Sequence, residues 1–301
     1  MRCSKCSSRA VTHIAYNGTH LCREHFADYV EQRVMRAIRK QGLPEGVIAV
    51  ALSGGKDSLT ALYILHDIIE PHRSRELHAI TVDEGIEGYR PASLEVASRH
   101  CEKLGVPHHV ISFENVVDMT MDDIAQRDGE LGECAYCGVF RRQCLNLQAK
   151  KIDAAALVMG HNLDDVSQSI LMNFVNGDMR RMARFAPHEH VQPGLVPRMV
   201  PLRSITEKEC TLYALLRGLD VLEDECPYAV SAHRGLFRDI VMDMEARRPG
   251  TRHSILASYQ AVEDCLADMY PPADLQPCQH CGEPSSQPVC RACQLKEKLQ
   301  K

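Results

Sequence analysis

No apolar run in this sequence approaches the roughly 20 residues that a membrane-spanning helix needs, so no segment is expected to cross a bilayer. There is no charge excess either. The formal net charge is −5, which gives no global attraction to a polyanion, so any RNA contact has to come from local basic patches. Three are visible: Arg33, Arg36, Arg39 and Lys40; Arg180, Arg181 and Arg184; and Arg247, Arg248 and Arg252 around Pro249. Taken alone, each reads first as a solvated helix face. A long internal repeat is lacking, and no secretory signal is expected, because Met1 to Arg9 is polar and already carries two cysteines. The expected location is therefore the cytoplasm, and the 14 cysteines are expected to serve metals and not disulfides.

With 45% hydrophobic and 25% charged residues in 301, the composition is that of a globular chain with one full-sized core and small appendages. Three zones are expected: a metal-binding module over 1–27, an α/β domain over 28–270, and a linker with a second metal module over 271–301. In the middle zone β-type runs at Val47–Leu52, Leu77–Val82, His109–Phe113 and Ala156–Met159 alternate with helical periodicity, which predicts a parallel sheet. Leu59, Leu62, Leu65 and Ile69 form one helical stripe, Pro91 suits the first turn of another helix, and Thr206 with Glu209 spells a capping box. After Tyr270 a Pro-rich stretch reads as a linker.

The segment Ser53-Gly54-Gly55-Lys56-Asp57-Ser58 lies between an apolar strand and a helix. Glycines let backbone approach a ligand, the helix start offers outward amides with a favourable dipole for anions, and Lys56 adds a point charge. It is not a Walker loop, because the upstream residues Val50, Ala51 and Leu52 are still strand. SGGKDS instead resembles the PP-loop of the N-type ATP pyrophosphatases, which implies ATP held with Mg²⁺ and AMP joined to a substrate oxygen. Asp83 ends the second strand, where open sheets present ligand-binding groups, and the resemblance implies nucleotide contact there. Gly160-His161-Asn162-Leu163-Asp164-Asp165 resembles the GHNxxD element of tRNA-thiolating PP-loop enzymes. Gly160 would approach the nucleotide; Asp165, with Asp57, is a candidate for metal-bound phosphate or proton transfer, although Asp164 and Asp165 also suit helix capping.

Cys134 and Cys137 are placed by the sequence just before a helix, where amides and dipole would lower a thiol pKa. Cys226, followed by Pro227, is the third thiol. Three cysteines can hold a 4Fe-4S cluster while leaving one iron open; a persulfide relay and a structural zinc with an unseen fourth ligand are the other readings. CxxC, a distant Cys, SGGKDS and two zinc quartets together resemble the TtuA-type tRNA 2-thiouridine synthetases and their cytosolic wobble-uridine relatives, over nearly the whole chain. The resemblance implies that Arg141, where some relatives carry lysine, faces the nucleotide. Cys101, Cys144, Cys210 and Cys265 fall on helices without metal spacing and read as buried apolar thiols.

Cys3, Cys6, Cys22 and His25 form one ligand set, and Cys278, Cys281, Cys290 and Cys293 another; both suit closed, structural zinc sites. The resemblance implies that the two modules lie next to each other on one face of the catalytic domain, and that a homodimer forms. It also implies the reaction: ATP adenylates the C2 oxygen of a tRNA uridine, wobble or T-loop, and sulfur replaces it, supplied by a ubiquitin-like thiocarboxylate carrier or by free sulfide. A PP-loop synthetase or amidotransferase using metal only for structure is the alternative enzyme, and a zinc-ribbon RNA adaptor the non-enzymatic one.

Overall fold

The computed structural model describes residues 1–127, 131–185, 187–188, 191–222, 224–231 and 234–300, with backbone only at 230 and 231. The chain starts with a hairpin of β1 (Thr12–Ile14) and β2 (Thr19–Leu21), then α1 (Arg23–Gln41), β3 (Gly46–Ala51), α2 (Lys56–Ile69), β4 (Arg75–Asp83), α3 (Arg90–Leu104) and β5 (His108–Ser112). Short helices α4 (Phe113–Val117) and α5 (Met121–Ala125) lead to α6 (Glu133–Lys151), β6 (Ala154–Val158), α7 (Leu163–Val175), α8 (Met179–Met182), β7 (Arg198–Met199) and α9 (Glu207–Arg217). The chain closes with α10 (Arg234–Arg247), α11 (Thr251–Gln260), α12 (Glu263–Met269), a second hairpin of β8 (Gln276–Pro277) and β9 (Pro284–Ser285), and α13 (Arg291–Leu299).

The central sheet runs β5-β4-β3-β6-β7, all parallel, so every strand points its carboxyl end at one edge. All four expected strands are present; Phe113, expected in a strand, instead opens α4 behind the capping side chain of Ser112. The Thr206–Glu209 capping box forms reciprocally at the start of α9. The two-residue strand β7 was not foreseen.

Strand alternation splits the core in two. Ile48, Val50, Ala156 and Val158 face one cluster with α1, α2 and α9; Ala49, Ile80, Val82 and Leu157 face another with α6 and α13. In α1, Phe26, Val30, Val34 and Ile38 recur every fourth residue and are all buried, each contributing about 1.5–3 kcal/mol of hydrophobic stabilisation. The amino-terminal quartet joins the first cluster through Cys3 and Cys22, and the carboxy-terminal quartet joins the second through Cys278 and Cys290. The two modules thus sit on opposite faces of the sheet, not side by side as the resemblance implied. Each small module lacks a core of its own, so each borrows the nearest uncovered face of the sheet–helix body.

One arginine in each of two basic patches is spent on structure, while Arg36, Arg39, Lys40, Arg247 and Arg248 stay exposed. Arg33 pairs with Glu209 at 2.6 Å and bonds Tyr16, and Arg252 pairs with buried Asp164 at 2.6 Å. Arg180, Arg181 and Arg184 remain exposed. Cys101, Cys144 and Cys210 are buried as expected, whereas Cys265 is exposed, because α12 buries no residue.

Candidate active site and metal quartets

The loop between β3 and α2 is stitched by its two serines: Ser53 N donates to Ser58 Oγ at 3.1 Å, and Ser58 Oγ donates to the Gly55 carbonyl at 3.0 Å. No side chain caps α2, which leaves its first amides directed at an incoming anion. Gly54 has φ +80°, and a Cβ there would lie 2.6 Å from the Ser93 carbonyl oxygen, so only glycine fits. A Cβ on Gly160 would lie 3.1 Å from Ser58 Cα, which brings the loop after β6 against the start of α2. The SGGKDS and GHN segments therefore lie against each other at the carboxyl edge of the sheet.

Lys56 Nζ reaches Asp57 Oδ2 at 3.1 Å and Glu207 Oε1 at 3.0 Å. Burial alone would lower its pKa, but the two carboxylates outweigh burial and raise it, so the ammonium stays charged. Burial pushes the Asp57 carboxyl up, opposed by Lys56 and helped by the nearby charge of Asp165. Asp83 turns its Oδ1 to the Gly85 amide at 2.9 Å at the end of β4. Asn162 and Asp165 form a reciprocal capping box on α7, and Asp165 Oδ1 lies 3.5 Å from Arg234. Asp164 is a structural carboxylate: it is buried, accepts from the Glu207 amide at 2.8 Å and pairs with Arg252.

Helix α6 begins at Glu133, so Cys134 and Cys137 occupy its first turns and not the segment before it. Three residues apart, they share one helix face. Cys134 Sγ donates to the Tyr228 carbonyl at 3.4 Å, and Tyr228 in turn bonds Asp122 at 2.7 Å, which fastens the turn after Cys226 over the start of α6. The expected depression of the thiol pKa values is overturned. Burial raises Cys134, and it pushes Cys137 up to about 11 against the opposing charge of Arg141. The charge of Cys226 acts on both. Among the described residues, the groups of three or more metal-ligating side chains whose donor atoms all lie within 4.8 Å are the two terminal quartets, so the three thiols are spread wider than that. A single zinc with Zn–S of about 2.3 Å needs tighter ligands. A polynuclear cluster, each thiolate on a different iron, fits the wider spacing and three-thiol donor set better.

One residue that sequence reasoning missed organises this region. Glu84 is 1% exposed, and its carboxylate pairs with Arg90 at 2.6 Å and Arg141 at 2.8 Å. Arg141 Nη2 then donates to Cys137 Sγ at 3.2 Å. The one signal in the sequence was that Glu84 follows Asp83 at a strand end, and nothing there reveals two arginine partners.

In the amino-terminal quartet Cys22 Sγ lies 3.2 Å and Cys3 Sγ 3.6 Å from His25 Nδ1, with Cys6 Sγ 3.8 Å from Cys22 Sγ. In the other, Cys278–Cys293 and Cys281–Cys290 are 3.9 and 3.6 Å apart. Burial opposes ionisation of Cys3 and Cys278, but the backbone amides around each bring both down to about 6; Cys22 is raised, and burial first pushes up Cys281, to about 11, and Cys293, so one thiol of each quartet is set to lose its proton before the others. The second quartet is tied to α6: Glu283 accepts from Asn146 at 3.0 Å and Lys150 at 2.7 Å, so the same helix carries the thiol pair at its start and the metal module along its length.

Comparison with known proteins finds family matches over both the middle and the amino-terminal zones. Residues 26–245 match the model of a PP-loop domain, and residues 2–27 match the amino-terminal LIM domain of the 2-thiouridine synthetase TtuA. The chain is 39% identical to the tRNA 2-thiolation protein NcsA of Haloferax volcanii, covering 100% of this chain and 99% of that one. It is 36% identical to the cytoplasmic tRNA 2-thiolation protein 1 of Chlamydomonas reinhardtii, covering 99% and 84%. The solved U34-tRNA thiolase NcsA from Methanococcus maripaludis, which carries a [4Fe-4S] cluster, superposes with a TM-score of 0.86 at 31% identity, covering 99% of this chain and 96% of that one.

Proposed function

Because this chain belongs to the TtuA-type family of PP-loop tRNA 2-thiolation proteins, we propose that it 2-thiolates a tRNA uridine, U34 at the wobble position, at the expense of ATP. The observation that carries the reading is the convergence at one sheet edge: the anion-ready loop at Ser53–Ser58, the Gly160 loop packed on it, and the thiol-bearing start of α6 tied to the end of β4 through Glu84 and Arg141. In the proposed reaction the uridine C2 oxygen attacks the α-phosphorus of ATP, forming a P–O bond and releasing pyrophosphate. A sulfide nucleophile then forms the C–S bond and AMP leaves with the original oxygen, so the sequence is redox-neutral.

The roles of this chain's residues follow from their chemistry. Lys56 and the α2 amides stabilise charge on the phosphates, and Gly54, Gly55 and Gly160 let the backbone close on the nucleotide. Asp57 and Asp165 are the carboxylates available to hold Mg²⁺ or to move a proton; Asp83 borders the same edge. Cys134, Cys137 and Cys226 would hold a [4Fe-4S] cluster, which supplies an open iron where sulfide can bind. Two zinc ions in the quartets would brace the body from opposite faces. The target base has to be unstacked to reach this pocket, which suits an anticodon loop. The sulfur source is a thiocarboxylate carrier protein or free sulfide, and the working form is a homodimer.

The test is an anaerobic assay with α-labelled ATP, sulfide and tRNA. Formation of AMP that requires tRNA, with 2-thiouridine at position 34, is expected. No AMP with any tRNA would instead favour the RNA-adaptor reading, and AMP formed with a small carboxylate in place of tRNA would favour the synthetase one.

A further inference from the structure

We propose that Glu84 is a positioning residue for the thiolation centre: its buried carboxylate fixes the Arg141 guanidinium so that Arg141 keeps a hydrogen bond on the Cys137 sulfur. The inference rests on the reading that Cys134, Cys137 and Cys226 ligate an iron–sulfur cluster.

A carboxylate that is 1% exposed is costly unless its charge is matched and its oxygens are engaged. Glu84 is held from both sides. Its main-chain carbonyl accepts from the Met121 amide at 2.6 Å, and Arg90, itself buried, pairs with its Oε2 while also bonding the Val82 carbonyl and Ser93 Oγ. Arg90 and Glu84 thus belong to the rigid frame formed by β4 and α3. Arg141 does not. Its side chain is 49% exposed, and without Glu84 it would be free to exchange rotamers with water as its partner. The 2.8 Å contact between Arg141 Nε and Glu84 Oε1 uses one edge of the planar guanidinium, and this aims Nη2 at Cys137 Sγ, 3.2 Å away and one helical turn back. A guanidinium can make both contacts at once because its donors have a fixed fork geometry, which an ammonium lacks.

A charge-assisted N–H···S bond withdraws negative charge from a ligating thiolate and favours the reduced state of an attached cluster, so it raises the reduction potential. Glu84 therefore acts on the cluster through Arg141, and the sign of its effect identifies it. Glu84→Asp keeps the charge but shortens the arm by about 1.5 Å, one C–C bond. It would leave the Arg90 side of the frame occupied and release Arg141.

The experiment is potentiometric titration, followed by EPR, of anaerobically purified protein as wild type, E84D, R141Q and E84D/R141Q, with thermal melting as the check on folding. The expected result is a lower potential in E84D and in R141Q, with the double variant no lower than R141Q alone. An E84D potential equal to wild type would overturn the proposal. So would an E84D shift of the same size with or without Arg141, since a residue acting through Arg141 loses its effect when Arg141 is gone. A second measurement covers a poorly folding E84D: resonance Raman of the wild type in D₂O should show shifted Fe–S(Cys) stretching bands, and R141Q should show none. Their absence in the wild type would overturn the hydrogen bond itself. Wild-type protein that binds no iron would sink the cluster reading and this proposal together, whereas iron-replete protein with an unmoved potential would sink the role of Glu84 alone.

Discussion

Substituting Gly54→Ala should weaken ATP binding by at least about tenfold without unfolding the protein. At φ +80° an L-residue costs about 1–2 kcal/mol, and about 1.4 kcal/mol is a factor of ten in binding if the loop recovers by leaving the nucleotide-ready conformation. The added Cβ also meets the Ser93 carbonyl at 2.6 Å, a main-chain atom that cannot rotate away, so the loop itself has to move. The Gly54 carbonyl accepts from the Leu222 amide at 3.1 Å, and the displacement would reach the segment leading to Cys226. Calorimetry with a non-hydrolysable ATP analogue measures the affinity. Gly18→Ala is the control: φ is +72° in the amino-terminal hairpin with nothing within 4 Å, so it shares the backbone cost but should leave ATP affinity at the wild-type value. Equal affinity of G54A and wild type would refute the assignment of this loop to the nucleotide.

Asp164→Asn should lower stability by about 1–3 kcal/mol, because Arg252 then keeps only its 3.8 Å contact with Glu245, whereas Asp165→Asn should mainly cost thiolation; denaturant titration and the tRNA assay separate the two. His253 is held below its ordinary pKa, by burial first and then by Arg33, whose Nη2 lies 3.2 Å from its Nε2. The unfolded chain therefore binds the proton more readily, so stability is full above about pH 6.5 and is lost as pH falls toward the folded pKa. Thermal melts from pH 8 to 5 should show that loss, and His253→Gln should show a shallower one. Cys3→Ser and Cys278→Ser should each release one metal ion per chain while leaving the other quartet loaded, since the modules sit on opposite sheet faces; metal analysis of the two variants checks this.

Much of this architecture was readable from local pattern. The strands carrying Ile48 to Val50 and Leu77 to Val82 are short apolar runs bounded by turns, and the Thr206–Glu209 box and both cysteine quartets are encoded within a few residues of sequence. What was not readable depends on contacts between residues far apart in the chain. Glu84 gains its meaning from Arg90 and Arg141, and Asp164 from Arg252, partners that only the folded chain brings together. The position of each metal module depends on which sheet face is left uncovered. Arg33 looked like part of an RNA-binding stripe because periodicity cannot tell a solvated cation from one buried against Glu209. The thiol pKa values went the other way because burial of Cys137 outweighs the opposing charge of Arg141.

The most direct test of the account is iron, acid-labile sulfide and zinc analysis of anaerobically purified protein, alongside Cys134→Ser, Cys137→Ser and Cys226→Ser. About four irons and about two zincs per chain are predicted, with iron and thiolation lost in the variants and zinc retained. Zinc alone in the wild type, with tRNA thiolation intact, would contradict the cluster and point to a persulfide relay through the same thiols.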